Sequence, residues 1–220
     1  PPGPGARRAV GLLGRVVSVE HEAKFPLDDR APLEARLRQD GRLRTPWHFE
    51  SNTVYDRDGE LGRARRLLRL RRAMVATLTF KEPAPDQTHG VKSRLERECR
   101  VDSPEAMDAI LRGLGYAPRL TYEKFRCVWD FGGASLFLDI VPFGQFLEIE
   151  AAPEAIPALA ASLGLDPAAA LDASYHALHR AWRAAQGLAP AEDFTFEPAE
   201  RERLAKLLGC EAQVPGERQC

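Results

Sequence analysis

Seven short stretches of this chain carry charged residues among alternating apolar ones, and in five of them the charges recur two positions apart. Glu20, Glu22 and Lys24 form the first; Arg69 with Arg71, and Thr79 with Lys81, form the next two. Arg94, Glu96, Glu98 and Arg100 follow, then Lys124 with Arg126, the lone Asp139, and Glu148 with Glu150. In an extended strand, residues two apart project from the same face. Each stretch therefore puts its acids and bases on one side and its apolar residues on the other, as with Val17, Val19, Ala23 and Phe25 in the first. Arginine and lysine bind phosphate oxygens, and carboxylates bind hard divalent cations. A set with both kinds in similar number suits a polyanion accompanied by Mg²⁺ or Mn²⁺.

The elements that must position these groups are strands. Period-two segments bounded by turn residues predict eight, at 15–25, 44–56, 65–72, 75–82, 92–101, 120–130, 134–141 and 145–150. Gly132-Gly133 predicts a hairpin between two of them, and Pro142-Phe143-Gly144 a turn between the last pair. Helices are expected at 29–40, stopping at Gly41; from the N-cap Ser103-Pro104-Glu105 to Gly115; at 153–163; at 167–186 with a break near Asp172; and at 198–208. A wet face on an antiparallel sheet commonly mixes serine, threonine, glutamine and lysine. Here nearly every polar-face position is fully charged. An eight-stranded sheet closed on itself would gather those faces around one lumen. The expected class is thus α+β, an eight-stranded antiparallel β-barrel with surrounding helices and a C-terminal helical segment. A lipocalin-like barrel is excluded, because its lumen would be apolar.

Bulk properties fit this reading and remove others. With 31 lysines and arginines against 32 aspartates and glutamates, no net basic signal for nucleic acid or anionic membrane exists. No apolar run has the length of a membrane span. PPGPGARRAVGLLG is too short and broken for a signal peptide and reads as a flexible leader, residues 1–14. Cys99, Cys127, Cys210 and Cys220 form no CxxC pair, so reduced thiols in a cytoplasmic protein are expected rather than a zinc site. Cys99 and Cys127 fall on the apolar face and read as core. His21 alternates away from Glu20 and Glu22 and is expected to face a helix or solvent.

Glu20-His21-Glu22-Ala23-Lys24 resembles the ExExK signature of the CYTH family, the triphosphate tunnel metalloenzymes. It is followed in order by LRLR (68–71), LTFK (78–81), SRLERE (93–98), EKFR (123–126), FLD (137–139) and FGQFLEIE (143–150). HFESNTVYD (48–56), LGY (114–116), TYEKFR (121–126) and SYHAL (174–178) are similar to segments of the class IV adenylyl cyclase branch. The resemblance implies a tunnel domain over residues 15–187. Residues 188–220 depart from it as a partly helical extension with a disordered end, either a cap or the contact with a second copy of the chain in a homodimer.

Carried over residue by residue, the resemblance implies that Glu20, Glu22, Glu148 and Glu150 hold one or two Mg²⁺ or Mn²⁺ ions, with Asp139 close by. Arg69, Arg71, Lys81 and Arg126 would clamp phosphate oxygens with help from Lys124, and Lys24 would sit beside the reacting phosphate as the catalytic residue. Glu96 and Glu98 either bind a second metal or only pair with Arg94 and Arg100. The implied substrate is a small-molecule triphosphate: ATP, cyclised to cyclic AMP and pyrophosphate, or tripolyphosphate or thiamine triphosphate, hydrolysed. A non-catalytic polyphosphate-binding module is the remaining alternative, although a pure anion binder gains nothing from carboxylates beside its ligand.

Overall fold

The computed structural model describes residues 18–84 and 92–214. Eight strands, β1 (Ser18–Leu27), β2 (Arg42–Asp56), β3 (Leu67–Arg72), β4 (Thr77–Pro83), β5 (Lys92–Arg100), β6 (Ala117–Phe131), β7 (Ala134–Val141) and β8 (Gly144–Glu150), pair only with antiparallel neighbours. Their order, β1-β5-β4-β3-β2-β6-β7-β8, returns to β1 and closes a barrel. The expected fold is therefore the one observed. Residues 1–17, including the expected leader and the start of the first predicted strand, lie outside the described residues, as do 85–91 and 215–220.

Closure turns the usual arrangement inside out. The apolar faces of the strands point away from the barrel axis and are buried by helices laid on the outside. Helix α1 (Ala31–Asp40) inserts Leu33 and Leu37 against Phe25, Trp129, Leu136 and Leu147. It stops at Gly41, where a Cβ would stand 2.8 Å from the Leu37 carbonyl oxygen, so only glycine lets the chain turn straight into β2. A four-residue turn, α2 (Glu60–Arg63), and helix α3 (Pro104–Gly113) cover Leu68 and Leu70. Ser103 Oγ accepts from the Ala106 N–H at the start of α3, as its sequence predicts. Gly132 and Gly133 take φ of 57° and 82°, the left-handed pair a tight hairpin needs.

After α4 (Ile156–Ser162), the helix expected at 167–186 divides around Asp172, where its sequence predicts a break. Asp166 caps a single 3-10 turn at Pro167–Ala169, the chain then runs extended, and α5 (Tyr175–Ala185) begins only at the Ser174 cap. The interruption has a tertiary cause. Leu171 exchanges backbone hydrogen bonds of 3.0 and 2.8 Å with Lys24 of β1, which draws the chain beneath the barrel before α5 starts. A last helix, α6 (Pro198–Leu208), seats Leu204 and Ala205 on Phe49, Phe125 and Ile140 of the outer wall, and Val214 beyond it is buried. Part of the expected disordered end is thus placed; the rest, 215–220, lies outside the described residues. One cysteine departs from expectation. Cys127 is buried, but Cys99 on β5 is exposed.

Candidate active site: a charged lumen closed at one end

The inward faces enclose a cavity of about 280 Å³ lined by seven cations (Lys24, Arg69, Arg71, Lys81, Lys92, Lys124, Arg126) and six carboxylates (Glu20, Glu22, Glu96, Glu98, Glu148, Glu150). These come from all strands but β2 and β7, so only closure brings them together. One end is walled by α5. Tyr175 lies beneath the ammonium groups of Lys24 and Lys124, at 5.2 and 5.6 Å from its ring centre, and His176 packs edge-on against Tyr122 at 5.0 Å. At the other end Arg71, Arg126 and Phe137 border both the cavity and an adjoining surface depression lined by His48, Met74, Val75 and Val128. That end is the mouth.

Within the lumen the charges are paired with one another. Lys24 Nζ stands 3.1 Å from Glu22 and 3.2 Å from Glu148, while Lys81 contacts both Glu20, at 2.6 Å, and Glu96. Lys92 reaches Glu22 at 2.6 Å. Arg71 faces Glu98, which also accepts from the hydroxyls of Thr77 and Thr79. Glu96 and Glu98 are therefore paired with Lys81 and Arg71 across the sheet, not with Arg94 and Arg100 along their own strand. Arg94 instead donates to the Arg65 carbonyl. His21 faces neither helix nor solvent alone: its Nδ1 lies 2.8 Å from Ser93 Oγ on the adjacent strand.

Asp139 is held apart from the acids of β1 and β8. It is 1% exposed and does not line the cavity. It accepts two hydrogen bonds from Arg126 (2.6 and 2.5 Å), one from Lys124 (3.3 Å) and one from Tyr175 Oη (2.7 Å). Its place is behind the cations, orienting them. Glu50, which the sequence reading left without a role, sits likewise: 2% exposed, within 3.6 Å of Arg71, 3.7 Å of Lys124 and 3.3 Å of His48. Also unforeseen were Lys92, Tyr122, Tyr175 and His176. The period-two signal was available for Glu50 (with His48 and Asn52) and for Lys92 (with Arg94). Nothing in the sequence pattern says that the start of α5 turns into a barrel.

Burial and neighbours set the charge states. Burial alone would raise Glu22 and Glu148, but Lys24 opposes it in both, joined by Lys92 at Glu22 and Arg126 at Glu148. Glu22 is held well below the usual range and Glu148 down to about 2. Glu20 goes the other way, to about 6, because burial and the neighbouring Glu96 outweigh Lys81. Glu150 is also raised, by burial and then by Glu20, and has no ion-pair partner among the described residues. Lys24 is raised despite burial because Glu148 and Glu22 flank it, so it stays protonated. Glu20 and Glu150 are thus the acids short of positive charge. Arg69 Nε and Arg71 Nε, in turn, are buried donors without acceptors.

These two deficits fit a divalent cation and a polyanion. Among the described residues no three acidic, histidine or cysteine groups already converge as a metal cage. Mg²⁺ does not need one, since it commonly binds through one or two carboxylates, substrate phosphates and water. Glu20, Glu22 and Glu150 supply hard oxygens of the right kind.

The fold and lumen define the class: a closed tunnel that concentrates bases and acids for a phosphate chain. A family model of the CYTH domain matches residues 18–163, and the chain belongs to that family. Its members are triphosphate tunnel metalloenzymes that use divalent metal ions, with cyclase or triphosphatase activity. A search of curated proteins gives no match. Among solved structures, the fold is shared with a Vibrio parahaemolyticus protein provisionally described as an adenylate cyclase, at 19% identity and a TM-score of 0.61, covering 73% of this chain and 97% of that one. The PH1819 protein of Pyrococcus horikoshii matches at 22% identity and 0.61, over 73% and 97%. HpAC1 from Hippeastrum, described as an adenylyl cyclase candidate with a dominant triphosphatase activity, matches at 21% and 0.55, over 78% and 97%. Among the described residues, no helix is long and apolar enough to cross a membrane.

Proposed function

We propose that the tunnel binds a triphosphate with Mg²⁺ or Mn²⁺ and breaks a phosphoanhydride in it, cyclising ATP to cyclic AMP with release of pyrophosphate. The observation that carries this is the single lumen in which seven cations meet six carboxylates. The mouth supports an organic triphosphate over an inorganic one: Phe137, Met74 and Val75 give apolar surface beside Arg71 and Arg126. The divalent ion, held by Glu20, Glu22, Glu148 and Glu150, would neutralise phosphoryl charge and acidify an attacking hydroxyl. Arg69, Arg71, Lys81, Lys124 and Arg126 bind the phosphate oxygens. Lys24, fixed between Glu22 and Glu148 and protonated, orients the reacting phosphate and offsets its charge; it is not a proton acceptor.

Hydrolysis of tripolyphosphate or thiamine triphosphate is the second reading. It is favoured by the chemistry of the lumen, whose charged groups address phosphates and are satisfied by tripolyphosphate itself. HpAC1, with its described triphosphatase activity on the same fold, supports keeping it. A panel of ATP, tripolyphosphate and thiamine triphosphate, with cyclic AMP, pyrophosphate and phosphate all quantified, separates the two. Cyclic AMP with stoichiometric pyrophosphate is the expected result. Phosphate release without cyclic AMP selects the hydrolase, and no turnover with either metal leaves only the binding module.

A further inference from the structure

The wall formed by α5 contains a group that neither the phosphate clamp nor the metal set uses. His176 lines the cavity, and its Nε2 is buried without a hydrogen-bond partner. The ring cannot turn freely to find one, because Tyr122 packs edge-on at 5.0 Å and Phe194 at 5.3 Å. Phe194 is itself anchored to β6 through backbone contacts, with the Glu123 N–H donating to its carbonyl at 3.0 Å. An imidazole nitrogen buried in the cavity wall and left unpaired costs free energy that a bound partner would recover.

Its surroundings identify that partner as anionic. The charged and titratable groups that face it are Arg180 and His179 on α5, Lys92 on β5 and Arg69 on β3, and Tyr122 of β6 lies against it. Arg69 is shared with the Tyr122 hydroxyl at 3.0 Å, so guanidinium, phenol and imidazole converge at the closed end. A phosphate chain that enters from the Arg126 and Phe137 mouth meets this wall last. The group that arrives there is its terminal phosphate, which carries more charge than the internal ones.

We propose that His176 is a specificity-determining contact for the terminal phosphate of the bound triphosphate, and that its Nε2 takes up a proton from solvent as that phosphate binds. The inference rests on the triphosphate reading of the lumen. No bond breaks in this step; the proton adds to the free lone pair and is then donated to a phosphate oxygen. In the empty lumen burial, then Arg180, Lys92 and Arg69, hold the imidazole down to about 4, so it is neutral near pH 7. A doubly charged phosphate in contact reverses the sign of the local potential and favours the imidazolium. The bound state then holds one more proton than the free state, and affinity through this residue rises as pH falls from neutral towards the free value.

Calorimetry of tripolyphosphate binding to the full chain, with saturating Mg²⁺ and in buffers of different ionisation enthalpy near pH 6.5, reads the proton directly. Glu20 and the ligand titrate alike in wild type and variant, so the difference isolates the imidazole. The wild type should take up more protons than His176→Asn, and the variant should bind roughly 10- to 100-fold more weakly, the range for a charged hydrogen bond. His176→Phe keeps the packing on Tyr122 and Phe194 and should show the same losses. NMR titration of the wild-type imidazole should show its protonation moving above neutral pH on adding tripolyphosphate. Equal proton uptake and equal affinity in both variants, or an imidazole whose titration does not move, overturns this inference alone. A wild type that binds no tripolyphosphate overturns the triphosphate reading and this inference with it.

Discussion

Replacing Asp139 by asparagine tests whether this residue orients cations or holds metal. In the structure it is the principal counterion of two buried cations, bonded twice to Arg126 and once to Lys124, with Tyr175 Oη donating to the same carboxylate. Asparagine keeps the shape and one acceptor but removes the charge. Breaking a buried pair by removing one partner costs about 3–5 kcal/mol, because the surviving charge is left uncompensated. Two features reduce this. Arg126 also reaches Glu148 at 2.7 Å, and Lys124 retains Glu50 at 3.7 Å. A loss of about 2–4 kcal/mol is therefore expected, which for a chain of this size lowers the melting temperature by about 5–15 °C. Tripolyphosphate with Mg²⁺ supplies fresh negative charge to the same guanidinium, so the ligand-induced rise in melting temperature should be larger in Asp139→Asn than in the wild type. Thermal melts with and without ligand give both numbers, and a metal titration gives a third that should be unchanged. A variant that melts like the wild type refutes the positioning role, and one that keeps its stability but loses metal affinity makes Asp139 a ligand.

Two further outcomes follow from the same geometry. Arg71→Ala should leave the metal-free fold close to wild-type stability, since Glu50 keeps Lys124 and His48, yet remove most of the stabilisation of roughly 2.7 kcal/mol that tripolyphosphate gives at a hundredfold excess over its Kd; a full ligand-induced shift in that variant would mean Arg71 does not touch the phosphate. Glu20, raised to about 6, must be ionised to bind metal. Mg²⁺ affinity should therefore fall as pH drops below about 6, by up to about tenfold per pH unit from this group, and Glu20→Gln should weaken binding near pH 7 and flatten that part of the profile. An unchanged profile in Glu20→Gln would take Glu20 out of the metal set.

Much of the molecule is written locally. Alternation alone places Glu20, Glu22 and Lys24 on one face of β1 and Ala23 and Phe25 on the other, because a strand has period two whatever it pairs with. The hairpin at Gly132-Gly133, the Ser103 cap and the stop at Gly41 are equally local, each set by backbone conformation over a few residues. The ordered charged strands are enough to indicate a closed barrel with a polar lumen.

Partnership is not local. β1 pairs with β5 on one side and β8 on the other, so Glu22 meets Lys92 and Glu150 across some 70 and 128 positions of chain. Which acid serves which base depends on register around a closed ring, and that is why Asp139 ends behind Arg126 while Glu150 is left without a cation. Cys99 shows the converse. Its strand face is apolar in pattern, but burial depends on what packs over that face, and Cys99 is exposed. The closed end of the tunnel was the least legible part: the pattern of 167–186 predicts a helix broken near Asp172, but not where the piece after the break points. The break falls where it was expected, and the bridge from Leu171 to Lys24 within it sets Tyr175 and His176 against the lumen. Side-chain period is a property of the strand, whereas the wall of a cavity is a property of everything packed around it.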